Sequence, residues 1–439
     1  MPLKILIIGA GICGPAMATL LRRSDPGHSV TIVERYPEIR HNGLQIDLRA
    51  WGIPIMKRLG LLEKVRQVSV KEGGLALVDS KGKIKAVLGI NDSGAGAQSF
   101  TSEFEVMRGD LVNILYEASM KDADEPATGK GDGAQDPREE DGPGIRYRFN
   151  VSVTALAQDE KGVDVTFTDG TTRRYDLVVG ADGQWSKTRR MMFGEDIGGA
   201  MFRRLHVHIA YYTVKREPGD DELARIYHIG NGRSIFRRTG DRPFTQVILM
   251  ARTESEEMRQ AIERQPVEKQ KEAFEKLFKG AGWQMDSRFL QGLRESTDFY
   301  ADSLGQVKAP HAVKGRIALL GDAAHCASAV TGMGTTVSLI GAYTLAGELA
   351  RHNDDVPTAL QAYDANIKPY IIEAQKLTLG VPHILTLDSQ WAIALLRFVV
   401  WLVTSTKFDK LIVKLAGENK GGLQLPDYPE LKLAPATEN

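Results

Sequence analysis

Two kinds of apolar pattern alternate along the chain. Lys4–Ile8, Ser29–Val33, Leu177–Val179 and Gly315–Leu320 are near-continuous apolar runs, the signature of strands buried on both faces. The first run enters Gly9–Gly14, then a helical stretch Pro15–Arg23, then the strand ending at Glu34, which predicts a β-turn-α-β unit. Residues 51–70 carry helical spacing through Ile55, Leu59, Leu62 and Val65, and Leu111–Ser119 is helical as well. Gly74–Val78 and Ile84–Leu88 predict a hairpin around Ser80-Lys81-Gly82, and Val163–Thr168 alternates into an Asp169-Gly170 turn. From about residue 200 to 300 the period changes. His206–Val214, Ala224–Ile229, Ser234–Arg238 and Phe244–Ala251 read as long alternating strands, followed by helices over 254–264 and 266–279. Residues 334–351 predict a long helix rich in small residues, and no internal repeat is present. The pattern predicts an α/β fold on a mostly parallel sheet, with an antiparallel-sheet α+β unit inserted into it.

The 439 residues suit two or three domains. We expect one discontinuous domain over 1–195 and 300–380, a second over 196–299, and a helical region over 381–439. Residues 121–144 contain almost no apolar side chain and predict a disordered insertion. Lys+Arg and Asp+Glu both number 56, so a general nucleic-acid binder, which needs a basic excess, is excluded. Two cysteines, Cys13 and Cys326, cannot form a disulfide framework and offer no zinc spacing, which fits a reducing, cytoplasmic setting. Trp391–Val403 is strongly apolar, but its 13 residues, broken by Arg397, fall short of the roughly 20 that span a bilayer. A helix packed on the protein or a partner is favoured over contact with a membrane surface.

Gly9-Ala10-Gly11-Ile12-Cys13-Gly14 has G-x-G-x-x-G spacing between a strand and a helix, with Glu34 at the next strand's end twenty residues on. Gly9 allows the tight turn, Gly11 lets backbone approach a pyrophosphate, and Gly14 lets helix and strand pack closely. The helix N-terminus offers free N–H groups to phosphate, and Glu34 suits ribose hydroxyls. Asp176–Gly183 (DLVVGADG) and Arg316–His325 (RIALLGDAAH) each place an acid, Asp182 and Asp322, at the end of a further apolar strand. A cofactor touched by three separated strand ends is long. FAD, with its hydroxyl-rich ribityl chain, fits better than NAD.

The chain resembles the class A, single-component FAD-dependent aromatic monooxygenases of the para-hydroxybenzoate hydroxylase type. The resemblance rests on GAGICG, Glu34-Arg35, Arg108-Gly109-Asp110-Leu111, GADG with Ser186 and Arg189, and GDAAH followed by Gly332-Met333-Gly334. Gly43–Asp47 (GLQID) with Arg49, and TGMGTT at 331–336, place it nearest the tetracycline-modifying and polyketide-tailoring branch. It implies a Rossmann-type FAD-binding domain with an inserted substrate domain. It implies FAD contacts from Gly9, Gly11, Cys13, Gly14, Glu34, Arg35, Gln45, Asp47, Arg108, Asp182, Gly321, Asp322, Gly332, Gly334 and Thr335. It further implies NADPH or NADH as a transient reductant, O₂, and oxygen transfer through a flavin C4a-hydroperoxide to an electron-rich aromatic or polycyclic small molecule, in secondary metabolism or antibiotic modification. An oxidase or reductase on the same fold is the alternative, and either a monomer or a homodimer is compatible. Cys326–Val330 lacks the proline that the family usually carries after GDAAH.

The inserted sheet should present one face to the flavin and substrate. Arg225, Tyr227, Phe236 and Tyr212 are the candidates for that wall, and alternation puts Arg225 and Tyr227 on one side. His325 is expected to be a structural hydrogen-bonder, and the two cysteines buried fillers beside the cofactor.

Overall fold

The computed structural model describes residues 2–41, 43–89, 103–124, 142–377, 380–405 and 423–434. Its first sheet has the strand order Val313–Lys314, Ile317–Leu319, Leu177–Gly180, Lys4–Ile8, Ser29–Glu34, Gly144–Phe149. All neighbours are parallel except the short Val313–Lys314 edge. The side chains of Ile5, Leu6 and Ile7 are wholly buried, as continuous apolar runs demand. Ile8 pairs with Gly180, and Gly180 with Leu319. That register brings the glycine turns after three strands to one edge, where open α/β sheets bind ligands. Helices Cys13–Ser24, Arg108–Asp124, Gly334–Arg351 and Val356–Ala374 complete the core around this sheet.

The second sheet runs Tyr300–Val307, Phe202–Lys215, Phe244–Arg252, Arg233–Arg238, Ala224–Gly230, Leu75–Val78, Ile84–Leu88. Its central strands are antiparallel, while Ala224–Gly230 pairs in parallel with Leu75–Val78. The predicted hairpin is therefore present, and it and Tyr300–Val307 extend a sheet whose middle strands come from 196–299. Period-2 alternation gives this sheet two apolar faces. Tyr212, Tyr227, Ile235, Val247 and Leu249 pack with Phe274, Phe278 and Trp283, under helices Glu256–Arg264 and Val267–Phe278. Ile209, Tyr211, Ile226, Ile248, Met250 and Leu304 form the opposite face, turned toward the first domain.

Helix Arg108–Asp124 and strand Gly144–Phe149 reach into the two ends of the 121–144 insertion. The rest of that insertion lies outside the described residues. The apolar stretch near the C-terminus is helix Gln390–Ser405. Leu396 and Val400 face the second sheet and Ile393 is buried, whereas Trp391, Phe398 and Trp401 are exposed. Among the described residues no helix is long and apolar enough to cross a membrane. Residues 423–434 pack into the core around the first sheet, where Tyr428 and Leu431 are buried.

Candidate functional site

A single cavity of about 770 Å³ runs between the two sheets, bordered by Glu34, Asp182 and Asp322 together. Gly9, Gly11, Cys13, Arg35, Gln45, Asp47, Arg108, Gly332, Gly334 and Thr335 also border it. Gly9 has φ +113, and a Cβ there would meet the Ala181 carbonyl oxygen at 2.6 Å. Gly14 lies just outside the cavity because it serves packing: its Cβ would come within 2.1 Å of the Gly9 oxygen. Gly321 is likewise outside, wedged between Cys13 and Ser338. Gly11 is different. The nearest atom to a Cβ there is Arg108 Nη2, at 3.5 Å, so glycine and guanidinium form a cradle with room between them.

Helices Cys13–Ser24 and Gly334–Arg351 both begin at the cavity, and neither has a side-chain N-cap. Helix Lys187–Phe193, by contrast, is capped by Ser186, whose hydroxyl oxygen accepts from the Arg189 N–H. Uncapped N–H groups suit a diphosphate and a flavin edge. Burial depresses the Arg108 guanidinium from its ordinary range, and Arg40 adds to that effect. An anionic phosphate beside it would relieve both costs. The Asp322 carboxyl is pushed up, chiefly by burial, and its Oδ1 is buried without a hydrogen-bond partner. An orphaned acceptor bordering the cavity matches a hydroxylated chain such as ribityl. These residues therefore fit FAD.

Glu34 and Asp182 do more structural work than the sequence suggests. Glu34 accepts from the Ala10 N–H at 2.9 Å and the Tyr36 N–H at 3.2 Å, tying the glycine turn to the second strand. Asp182 accepts from the Ser186 hydroxyl and from the Thr188 N–H and hydroxyl, which shapes the GADG turn. Arg189 is fully buried and donates to the carbonyls of Gly198, Ala323 and Gln184. It thereby joins the GADG and GDAAH turns. His325 is buried off the cavity, with its Nε2 unpartnered; burial holds it neutral, its pKa lowered to about 4. Burial raises the Cys13 thiol to about 12, so it stays a neutral filler at the cavity wall.

The substrate wall needs correction. Phe236 borders the cavity, but Arg225, Tyr227 and Tyr212 occupy the other face of the sheet. Arg225 pairs with Asp221, Tyr227 packs edge-on to Trp283, and the Tyr212 hydroxyl donates to the Phe289 carbonyl at 3.0 Å. Arg225 and Tyr227 do share a face, but alternation alone cannot say which face meets the cofactor. The wall consists of Ile209, Phe236, Ile248 and Met250, with Tyr300, Asp302 and Leu304 from the edge strand. Tyr300, Asp302 and Leu304 alternate along one strand, which was the available signal for them. Asp302 Oδ1 accepts from the Trp185 indole N–H at 3.0 Å, and burial raises its carboxyl to about 6. Where the family usually has proline, Ser328 borders the cavity at φ +76, with its hydroxyl buried and unpartnered.

One acid–histidine cluster lies elsewhere, formed by Asp25, His28 and Asp354. His28 Nδ1 accepts from the Leu3 N–H at 3.0 Å. The neutral ring therefore carries its proton on Nε2, toward Asp354, and has no lone pair left for a metal.

Residues 2–375 match the family described as FAD binding domain. The chain is similar to the FAD-dependent monooxygenase asL6 of Sarocladium schorii, 38% identical over 437 residues, covering 98% of this chain and 99% of that one. It is similar also to the flavin-dependent monooxygenase eupH of Phoma sp, 33% identical over 448 residues, covering 97% and 98%. Among solved structures, tetracycline destructase Tet(51) matches with a TM-score of 0.74 at 27% identity, covering 98% of this chain and 100% of that one. With the dinucleotide cradle, the orphaned Asp322 oxygen and these relatives in agreement, the chain belongs to the FAD-dependent monooxygenases.

Proposed function

We propose that this enzyme uses NAD(P)H and O₂ to hydroxylate or epoxidise an electron-rich aromatic or polycyclic small molecule. The observation that carries this reading is the cavity itself, which continues from the FAD cradle to a wall of Ile209, Phe236, Ile248 and Met250. A flat apolar substrate buries its faces against such a wall, and a few polar groups set its orientation. The likeness to a tetracycline destructase favours a polycyclic ring system.

Bound FAD would take a hydride from NAD(P)H and activate O₂, so that one oxygen atom enters the substrate and the other leaves as water. The chain's own residues then have separable tasks. Gly9, Gly11 and the helix N-terminus at Cys13 would hold the diphosphate, with Arg108 lending it charge. Glu34 and Arg35 would border the adenosine end, and Asp322 would accept from the ribityl hydroxyls. Gln45, Asp47, Gly332, Gly334 and Thr335 would border the pyrimidine edge. Asp182 and Gly14 act by shaping the turns, and Gly321 by close packing. The apolar sheet face excludes water from the reacting ring.

The test is turnover of the FAD-loaded protein under labelled O₂ with NADPH and a panel of phenolic and polycyclic compounds. Substrate-dependent NADPH oxidation with one labelled atom in the product is expected. Oxygen consumption with no label in any product would replace this reading by an oxidase.

A further inference from the structure

Between the cofactor side and the substrate sheet lies a buried cluster of charges that borders the cavity through Gln45, Asp47 and Arg238 but whose central carboxyl the site described above does not use. Its centre is Glu105, 1% exposed, on the short strand Glu105–Met107 that pairs with Gln45–Asp47. Glu105 Oε2 accepts from the Gln45 amide and from Arg238 Nη2. Arg238 comes from the substrate sheet, two residues past Phe236, and also donates to Glu72, Nε to Oε1 at 3.1 Å and Nη2 to Oε2 at 2.6 Å. Gln45 is bonded in turn to Gln246 of the same sheet, whose amide donates to the Gln45 side-chain oxygen at 3.0 Å. Three segments of distant sequence thus meet on one carboxyl group.

The charges facing Glu105 can be named from each element around it. Asp47 comes from the paired strand and is joined to Arg49 at 2.8 Å; Glu72 comes from the segment leading into the hairpin; Arg238 comes from the substrate sheet. Gln45 and Gln246 are neutral. With Glu105 ionised, three carboxylates face two guanidinium groups. With Glu105 neutral, the charges balance. Glu105 Oε1 accepts from no donor, and the Asp47 carboxyl, which shares a hydrogen bond with Glu105, favours a proton held between the two acids. Burial raises the carboxyl to about 8; Arg238 opposes this, and the Asp47 and Glu72 charges act in the same direction as burial.

We propose that Glu105 is a positioning residue, a protonated clasp whose neutrality lets Asp47 and Arg238 hold the cofactor strand against the substrate sheet. Its ionisation places a surplus negative charge behind Gln45 and Asp47, both of which border the cavity, and weakens the grip on FAD. This rests on the FAD site but not on any substrate. Among the cavity's other shifted acids Asp302 lies near 6, Cys13 near 12 and Cys326 well above its ordinary range, while burial also raises Asp322, so the comparison with Glu105→Gln is what assigns the break to Glu105.

The experiment titrates FAD into apoprotein by fluorescence quenching between pH 6 and pH 9. Wild-type Kd should hold steady to neutrality and then rise by about fivefold or more toward pH 9. Glu105→Gln keeps the shape and removes the titration, so its Kd should stay within about twofold across the range. The apoprotein's melting temperature supplies a reading independent of flavin. A group whose carboxyl pKa is raised by folding stabilises the fold below its unfolded value and loses that contribution as pH climbs through the folded one. Glu105→Gln should remove that part of the alkaline decline. If Glu105→Gln does not fold, Glu72→Gln substitutes, because removing one facing carboxylate must move the break to lower pH. A wild-type Kd without a break, a Glu105→Gln profile that keeps it, or a Glu72→Gln break that stays in place overturns the proposal.

Discussion

At Gly11 the reading of the cofactor cradle becomes a statement about single atoms. A Cβ at this position clashes with nothing in the protein, since its nearest neighbour is Arg108 Nη2 at 3.5 Å. The space is open toward the cavity. Gly11→Val is therefore expected to fold with a melting temperature near wild type when both are compared as apoprotein, yet to purify without flavin colour. Full flavin occupancy in that variant would displace the diphosphate site. Gly14 behaves oppositely, because a Cβ 2.1 Å from the Gly9 oxygen strikes backbone and damages the fold itself. Two glycines of one motif thus answer to different physics, which the motif's spacing alone does not separate. Ser328 adds a third kind of residue. A non-glycine at φ +76 stores about 1–3 kcal/mol of strain, and such strain persists only where the surroundings over-determine it.

Within the inserted sheet, the strand is the unit that decides which side chains matter. Phe236 and its neighbour Ile235 differ by one position and so by a whole face: one borders the cavity, the other lies beneath the helices. Phe236→Ala is expected to raise the substrate KM several-fold, with about 1 kcal/mol or less of lost stability, because that side chain is only half buried. Tyr212→Phe should do the reverse. It removes a buried hydrogen bond to the Phe289 carbonyl, costing roughly 0.5–1.5 kcal/mol, with KM unchanged. Chemical denaturation and steady-state kinetics on the two variants separate these outcomes. The same geometry explains what could be read in advance. Glycine turns at strand ends are local, and their chemistry is written in consecutive residues, so GAGICG, GADG and GDAAH were legible. Strand alternation was legible too, but the sign of the face depends on which layer arrives from elsewhere in the chain. Tyr300 and Asp302 escaped notice because Tyr300–Val307 finds its partner strand about 90 residues earlier. The Glu105 cluster joins residues 45, 72, 105 and 238, and no window of sequence contains it.

The whole molecule is closed by its last described segment. Residues 423–434 pack into the core around the first sheet, where Trp51 donates to the Leu423 carbonyl, Tyr370 to Gln424 and Tyr343 to Pro426. Tyr428 donates to Glu348 at 2.6 Å and lies directly over Gly347, where a Cβ would meet its ring at 2.3 Å. Gly347 and Glu348 belong to helix Gly334–Arg351, whose other end borders the FAD cavity. The segment therefore braces from behind the helix whose N-terminus borders the cavity. Burying Tyr428 and Leu431 is worth about 2–3 kcal/mol each, and three further hydrogen bonds hold buried aromatic groups in place. Truncation after residue 422 should consequently lower stability by roughly 4–6 kcal/mol, a large fraction of a typical total. Flavin affinity should fall with it, since a loosened helix presents its N–H groups less rigidly. Added FAD should recover part of the lost melting temperature, because a ligand that binds only the folded form stabilises by mass action. A truncated chain that melts like the full one would show that the helix stands without its brace, and that the cavity's rigidity resides in the two sheets alone.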